Sequence, residues 1–389
     1  MIKIYVNTPS WSFGASTDRN LQKRMKILSK IYPDLEFYYP HNKVLSLWIN
    51  IKHLYSSIKR RVIRKKPIPS IGWILKTQKA YNELELKYSN CDIIYSQGIM
   101  PKRTFNKPVL LDLVFFEPEV RGGCIINKES KDRFKTMCNI IRDLSIKNGI
   151  YNLRSNYSTN LVNKYVDKSN AYKFKNLPFL LPELKCINDQ EIQIKHNLTD
   201  NGKGKIIILF CGAQAKRKGL ELVLESYLKI RSSKTELHII SSLSDGNIII
   251  PKFDDIIYHG SLSHEETIIY FKKAHIYIMP SYYESFGLTY LEAMANGAIV
   301  VARNYEPQRE IVNYGKCGFL VDLNINSCVN KLNYIINLSD NERTNIALSA
   351  KKYFEEKFSF EKVHKEWYKA IVECYNLGEH EKDNNNNSN

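Results

Sequence analysis

No stretch of the 389 residues holds 18 consecutive apolar side chains, so the sequence predicts no membrane-spanning helix. The opening run, Met1-Ile2-Lys3-Ile4-Tyr5-Val6, lacks the apolar core and cleavage site of a secretory leader, and a cytoplasmic location is expected. None of the eight cysteines stands in Cys-x-x-Cys spacing or beside a histidine partner, so no metal site is expected and the thiols are read as reduced and mostly structural. Acidic residues are scarce in only one half. The first 200 residues carry 34 Lys and Arg against 17 Asp and Glu, whereas the remainder carries 23 of each. The net charge of +17 therefore belongs to the first half, which should meet an anionic membrane face, a phosphorylated substrate or nucleic acid. An interleaved aromatic and basic reading motif is lacking, so nucleic acid is not an expected partner.

What is present is the pattern of a two-domain α/β protein. Strand, helix, strand at 2–6, 19–31 and 35–39 begins a parallel sheet, and buried strands are expected at 92–95, 109–113 and 149–153. A second alternating set has strands at 206–211, 237–240, 256–259, 276–279, 299–302 and 319–321. The expected domains are 1–185 and 205–358. The stretch 186–204 reads as a polar, helix-poor linker, 359–376 as a helix, and 379–389 as a disordered tail. The fold class is α/β, with two Rossmann-like doubly wound parallel sheets facing an interdomain cleft at their strand C-ends.

Residues 43–66 place Val44, Leu47, Trp48, Ile51 and Leu54 at helical spacing and end in Lys59, Arg60, Arg61, Arg64, Lys65 and Lys66. Two readings stay open: an ordinary amphipathic surface helix, or a helix lying on an anionic membrane through the Trp48 stripe and that basic end.

The densest chemical signal is Pro280-Ser-Tyr-Tyr-Glu284-Ser285-Phe286-Gly287-Leu288-Thr-Tyr-Leu-Glu292-Ala-Met-Ala-Asn-Gly297. A strand ends at Pro280, a helix starts near Gly287, and Asn296-Gly297 is a left-handed stop. Glu284 and Glu292 are then placed to face the cleft. The N–H groups at the helix start suit a diphosphate. Flanking carboxylates suit sugar hydroxyls, although a capping and a solvated glutamate would fit the same spacing. A second turn, Gly212-Ala-Gln-Ala-Lys216-Arg217-Lys218-Gly219, follows the strand 206–211 and offers a lysine to a phosphate.

This arrangement resembles the family 4 retaining glycosyltransferases, whose mark is two glutamates separated by seven residues, here Glu284 and Glu292. The flanks Glu284-Ser-Phe-Gly, Glu310-Ile-Val and Gly318-Phe-Leu-Val extend the likeness over about 205–375, with 1–180 matching only in outline. The resemblance implies a GT-B fold, a nucleotide diphosphate sugar as donor, no cofactor and no metal. It also implies that Glu284 touches the donor sugar and Glu292 the nucleotide ribose. The backbone at Ser285, Phe286, Gly287 and Leu288 would meet the sugar and diphosphate, with Gly212 and Lys218 nearby. The last helix would return to the N-terminal domain. Two departures follow. Ala213 stands where the family has an arginine, leaving Lys216 or Arg217 to supply the second cation. No histidine follows the strand 109–113, so Asp112 or Glu117 is the candidate acceptor base, with Asp112 favoured. Gly14 is the remnant of a glycine-rich acceptor loop. The implied acceptor is a lipid-diphosphate-linked or other glycan of bacterial surface polysaccharide assembly, met at the inner membrane face. A nucleotide-sugar 2-epimerase, a sugar phosphorylase and a non-catalytic nucleotide-sugar-binding protein are the rival readings.

Overall fold

Runs rich in Ile, Val and Tyr, too short for helices and buried along their length, form the strands of the two halves. In the computed structural model the described residues are 1–7, 21–39, 90–97, 107–113, 149–163, 173–197, 204–243, 247–282, 284 and 286–386. Gly14, Ser285 and the whole 43–66 segment, with Trp48, Arg60, Arg61, Arg64, Lys65 and Lys66, lie outside them.

The N-terminal half runs β1 (Ile2–Asn7), α1 (Leu21–Ile31), β2 (Leu35–Tyr38), β3 (Ile93–Gln97), β4 (Val109–Asp112), β5 (Gly149–Asn152), α2 (Asn156–Val162) and β6 (Phe174–Lys175). After α3 (Asp189–His196) the C-terminal half runs β7 (Ile206–Cys211), α4 (Leu220–Ile230), β8 (Thr235–Ile240), β9 (Ile256–Gly260), α5 (His264–Lys273), β10 (Ile276–Met279) and α6 (Leu288–Ala295). It continues through β11 (Ile299–Arg303), α7 (Gln308–Ile311), β12 (Phe319–Val321), α8 (Ile325–Ile336), α9 (Asp340–Lys357) and α10 (Phe360–Asn386). The sheet orders are β2-β1-β3-β4-β5-β6 and β12-β11-β10-β7-β8-β9, with every pairing parallel. The two-sheet doubly wound architecture expected from the alternation is the one observed.

The C-terminal sheet winds outward in opposite directions from β7 and β10, which lie side by side. A crevice opens beyond the carboxyl ends of two such strands. Those ends are Cys211 and Met279, so the two turns singled out in the sequence both leave from this point.

Two expectations are corrected. The stretch 186–204 is not helix-poor: α3 occupies Asp189–His196, started by reciprocal bonds between Asn188 and Glu191 at 2.8 Å each way. Its apolar content is too sparse to show a helical period, since Ile192 is buried while Ile194 is 66% exposed. The tail from 379 is not disordered at its start, because α10 continues to Asn386. Glu and Lys favour helix and no proline interrupts the run, so the helix propagates past its last packed turn. Near its start α10 adds Val363, Trp367, Ala370, Ile371 and Cys374 to the core of the N-terminal sheet. The Trp367 indole donates to the Pro178 carbonyl at 2.8 Å, and Tyr368 stacks on Tyr32 at 3.9 Å between ring centres.

Candidate active site at the β7 and β10 strand ends

Gly219 begins α4 with φ at +84°, and a Cβ there would stand 2.6 Å from the Pro280 carbonyl oxygen. Only glycine fits both the left-handed backbone and this approach. The turn after β7 is therefore pressed onto the loop after β10. Hydrogen bonds complete the seam: Tyr282 N–H donates to the Arg217 carbonyl at 2.9 Å, and the Ser281 hydroxyl to the same oxygen at 3.3 Å. Farther along, the Gln308 side chain donates to Ser281 O at 3.1 Å, and Arg303 donates to Tyr282 O. The Tyr290 hydroxyl donates to Met279 O at 2.6 Å, tying α6 to the end of β10.

This seam holds one carboxylate between two cations. Glu284 is 5% exposed, its Oε1 accepts a hydrogen bond from Lys218 Nζ, and Arg217 Nη1 lies 3.9 Å away. Burial pulls the Lys218 ammonium below its ordinary pKa, opposed by the Glu284 charge. Ala213 is exposed and supplies no cation, and of the two alternatives Lys216 and Arg217 it is Arg217 that lies within 4 Å of Glu284. Phe286 is buried with Phe179 and Phe358 edge-on at 5.4 and 6.0 Å between centres. Gly287, at φ +88°, opens α6 at its Leu288 end, and the first amides of a helix have no intrahelical acceptor.

Glu292 lies one turn farther along α6, its side chain 15% exposed and 3.5 Å from His264 Nδ1. Burial and the nearby Glu183 push its carboxyl up to about 8, while Arg24 on α1 acts the other way. The far end of α6 is held by α3: Lys195 Nζ donates to Asn296 O at 2.6 Å, and His196 Nε2 lies 2.9 Å from Gly297 O. Burial lowers Lys195 to about 7.

Gly212, Arg217, Lys218, Glu284, Phe286, Gly287, Leu288 and Glu292 are thus arrayed along the strand-end turns and α6. The candidate base Asp112 is corrected. It is fully buried, and its carboxylate already accepts from Tyr95 OH at 2.8 Å, Asn152 Nδ2 at 3.0 Å and Arg154 Nη2. A base needs reach to a substrate hydroxyl, and every side of this one is occupied by protein donors.

The contacts between the halves were missed from sequence. Glu310 on α7 accepts from Asn156 N at 3.0 Å and Tyr157 N at 2.6 Å, capping α2 across the cleft. Phe179 meets Phe286 edge-on from the other half, and within the N-terminal half Arg24 pairs with Glu183 at 2.8 Å and the Arg154 guanidinium stacks 3.4 Å over the Phe179 ring. Glu310-Ile311-Val312 was visible as a motif, but its partners lie 153 and 154 residues away.

Residues 191–353 match the family described as glycosyl transferases group 1. An uncharacterised 41.2 kDa protein in the cps region of Klebsiella pneumoniae is 34% identical over 143 residues, which span 36% of this chain and 37% of that protein. The chain thus covers little more than a third of that relative. Sucrose-phosphate synthase from Thermosynechococcus elongatus superposes with a TM-score of 0.68 at 15% identity, covering 96% of this chain and 99% of that one. HepE from Anabaena, in complex with UDP and glucose, gives 0.58 at 14% identity over 96% of this chain and 100% of its own. Residues 191–353 thus match the glycosyl transferases group 1 family, and with its two parallel doubly wound sheets the chain has the GT-B fold.

Proposed function

We propose that the protein is a retaining glycosyltransferase that moves a hexose from a nucleotide diphosphate sugar to an acceptor hydroxyl without a metal ion. The observation that carries this reading is the Lys218–Glu284 pair beside the Gly287 start of α6. In the free protein each charge neutralises the other. An arriving diphosphate offers Lys218 a doubly charged partner, which releases the Glu284 carboxylate to accept from donor-sugar hydroxyls. Lys218, Arg217 and the α6 amides then stabilise charge as the diphosphate departs. Glu292 is read as the ribose contact. Among the described residues of the strand-end turns no covalent nucleophile is evident, and a same-face displacement, with the leaving diphosphate assisting deprotonation of the acceptor, is the mechanism the family resemblance suggests. Arg217, 3.9 Å from Glu284, supports the catalytic reading over the non-catalytic alternative.

The proposed setting is bacterial surface polysaccharide assembly on a lipid-diphosphate-linked or other glycan. The likeness to a protein of a cps region and the basic first half support it. Membrane contact would come from residues 43–66. The deciding experiment pairs a thermal-shift panel of nucleotide sugars with turnover of the radiolabelled sugar that stabilises most. A stabilising sugar that is transferred, with unchanged rate in EDTA, is expected. No stabilisation by any nucleotide sugar, or binding without transfer to a range of glycan acceptors, would defeat the reading. Flotation with anionic liposomes tests the membrane arm: binding at low salt, lost when Arg60, Arg61, Arg64, Lys65 and Lys66 become glutamate, is the expected result.

A further inference from the structure

Glu292 keeps a proton in the free protein, yet a carboxylate accepts from hydroxyls most strongly when it is charged. Burial first and Glu183 second push its carboxyl up to about 8, while Arg24 acts the other way. Arg24 and Glu183 pair at 2.8 Å, so their charges largely offset one another at Glu292. Cys211, at the end of β7, is buried, and burial raises its thiol and keeps it neutral. Lys218 is engaged by Glu284. What remains is His264, whose Nδ1 lies 3.5 Å from Glu292 Oε1. Among the described residues it is the one cation-forming side chain within 4 Å of that carboxylate.

The fold fixes this contact. Ser263 caps α5 through reciprocal bonds with Glu266, at 3.2 and 2.8 Å, which makes His264 the first residue of the helix. Helix α5 packs against α6, which carries Glu292. The His264 side chain is 45% exposed against 15% for Glu292, so a proton on the imidazole is solvated where one on the carboxyl is not. On α5 itself Glu265 is exposed, and Glu266 is committed to the cap. The positive end of α5 opposes a cation at its first residue, and an ionised Glu292 at 3.5 Å offsets that. Imidazole is the side chain whose charge changes in the neutral range.

We propose that His264 is a positioning residue for the nucleotide, taking the proton of Glu292 so that the carboxylate meets the ribose hydroxyls as an anion. The O–H bond of the Glu292 carboxyl breaks, and an N–H bond forms at His264 Nδ1, the nitrogen that faces it. The pair is neutral overall before and after, so Glu292 ionises without a proton passing to solvent. The inference rests on the proposed function for the ribose role of Glu292.

The test is calorimetric titration of the full chain with UDP, ADP, GDP and CDP between pH 6 and 8, in buffers of different ionisation enthalpy. His264→Asn keeps a neutral donor beside Glu292 but cannot take its proton. With the diphosphate that binds, this variant should come close to the wild type at pH 8 and bind about tenfold more weakly at pH 6. Near pH 7 it should also release up to about one proton more per binding event, because Glu292 must then ionise into bulk water. Protons released by the diphosphate itself are common to both proteins and cancel. In Glu292→Gln the His264→Asn change should cost nothing at any pH. The matching 2′,3′-dideoxynucleoside diphosphate, which offers Glu292 no hydroxyl, should show no pH-dependent deficit. A His264→Asn effect that is equal at pH 6 and 8, equal proton release, or a full deficit persisting in Glu292→Gln would overturn the inference alone. If none of the four diphosphates binds, the glycosyltransferase reading falls and the inference falls with it.

Discussion

The strand ends of the two sheets each carry a buried acid–base pair, and the pairs differ in how they are held. Asp112 and Arg154 sit at or just beyond strands β4 and β5, with side chains 0% and 3% exposed. Asp112 also accepts from Tyr95 and Asn152. Lys218 and Glu284 sit on turns, with side chains 12% and 6% exposed. The first carboxylate is saturated by its own half of the protein. The second depends on one ammonium and a more distant guanidinium, so in the proposed function a phosphate exchanges into it. On that reading the same pair of charges is a structural clamp on one wall and an exchangeable ligand site on the other. The difference lies in the number of neutral donors already committed to the carboxylate.

The comparison breaks most severely at the clamp. Asp112→Ala leaves Arg154 buried and unpaired, and should cost about 3–5 kcal/mol of stability by denaturant unfolding. A loss below about 1 kcal/mol would mean that the two walls are equally plastic. On the exchangeable wall, Glu284→Gln should leave the denaturant midpoint nearly unchanged while transfer falls about ten- to hundredfold or more, because charged hydrogen bonds to the sugar are lost. Wild-type turnover in that variant would remove Glu284 from the chemistry. Lys218→Ala should weaken binding of the nucleoside diphosphate by about 1.5–3 kcal/mol and spare the bare nucleoside. A larger loss in Arg217→Ala would exchange the roles of the two cations.

A pH-dependent effect sharpens the wall around α6. The folded-state pKa of Glu292 is pushed up to about 8, by burial first and by Glu183 second, against Arg24 and beside His264. The native state therefore holds a proton that the unfolded chain releases near the ordinary glutamate value of about 4.3. This contribution to stability is complete below that value and is lost as pH rises from there towards 8. Glu292→Gln, neutral at every pH, should gain on the wild type over that window in parallel urea titrations at pH 5, 6.5 and 8. A constant difference between the two proteins would show that Glu292 is ionised throughout.

Much of the donor wall could be read in the sequence because its signals are local. Gly287 marks a helix start, Asn296-Gly297 marks a helix stop, and Glu284 to Glu292 is a spacing along one loop and helix. The acceptor wall could not be read in the same way. Asp112 has the look of a strand-end carboxylate open to a cleft, and only its partners, 17, 40 and 42 residues distant, reveal that it is closed. The helix 189–196 was legible in its Asn188–Glu191 capping pattern, but a short, mostly exposed helix has too few apolar residues to show a period.

By itself the sequence determined the alternation of strands and helices, and hence two parallel sheets, because apolar period and turn chemistry act over a few residues. It likewise determined where the basic excess lies and which turns carry the lysine and the glutamates. Tertiary structure decided what each charge does. Lys218 meets Glu284 across 66 residues, and Glu310 caps α2 across 154. These pairings, and the loss of water that makes Glu292 hold its proton and Asp112 a clamp, arise only when distant segments pack. Desolvation and charge pairing depend on distance in space, and no spacing along the chain encodes it.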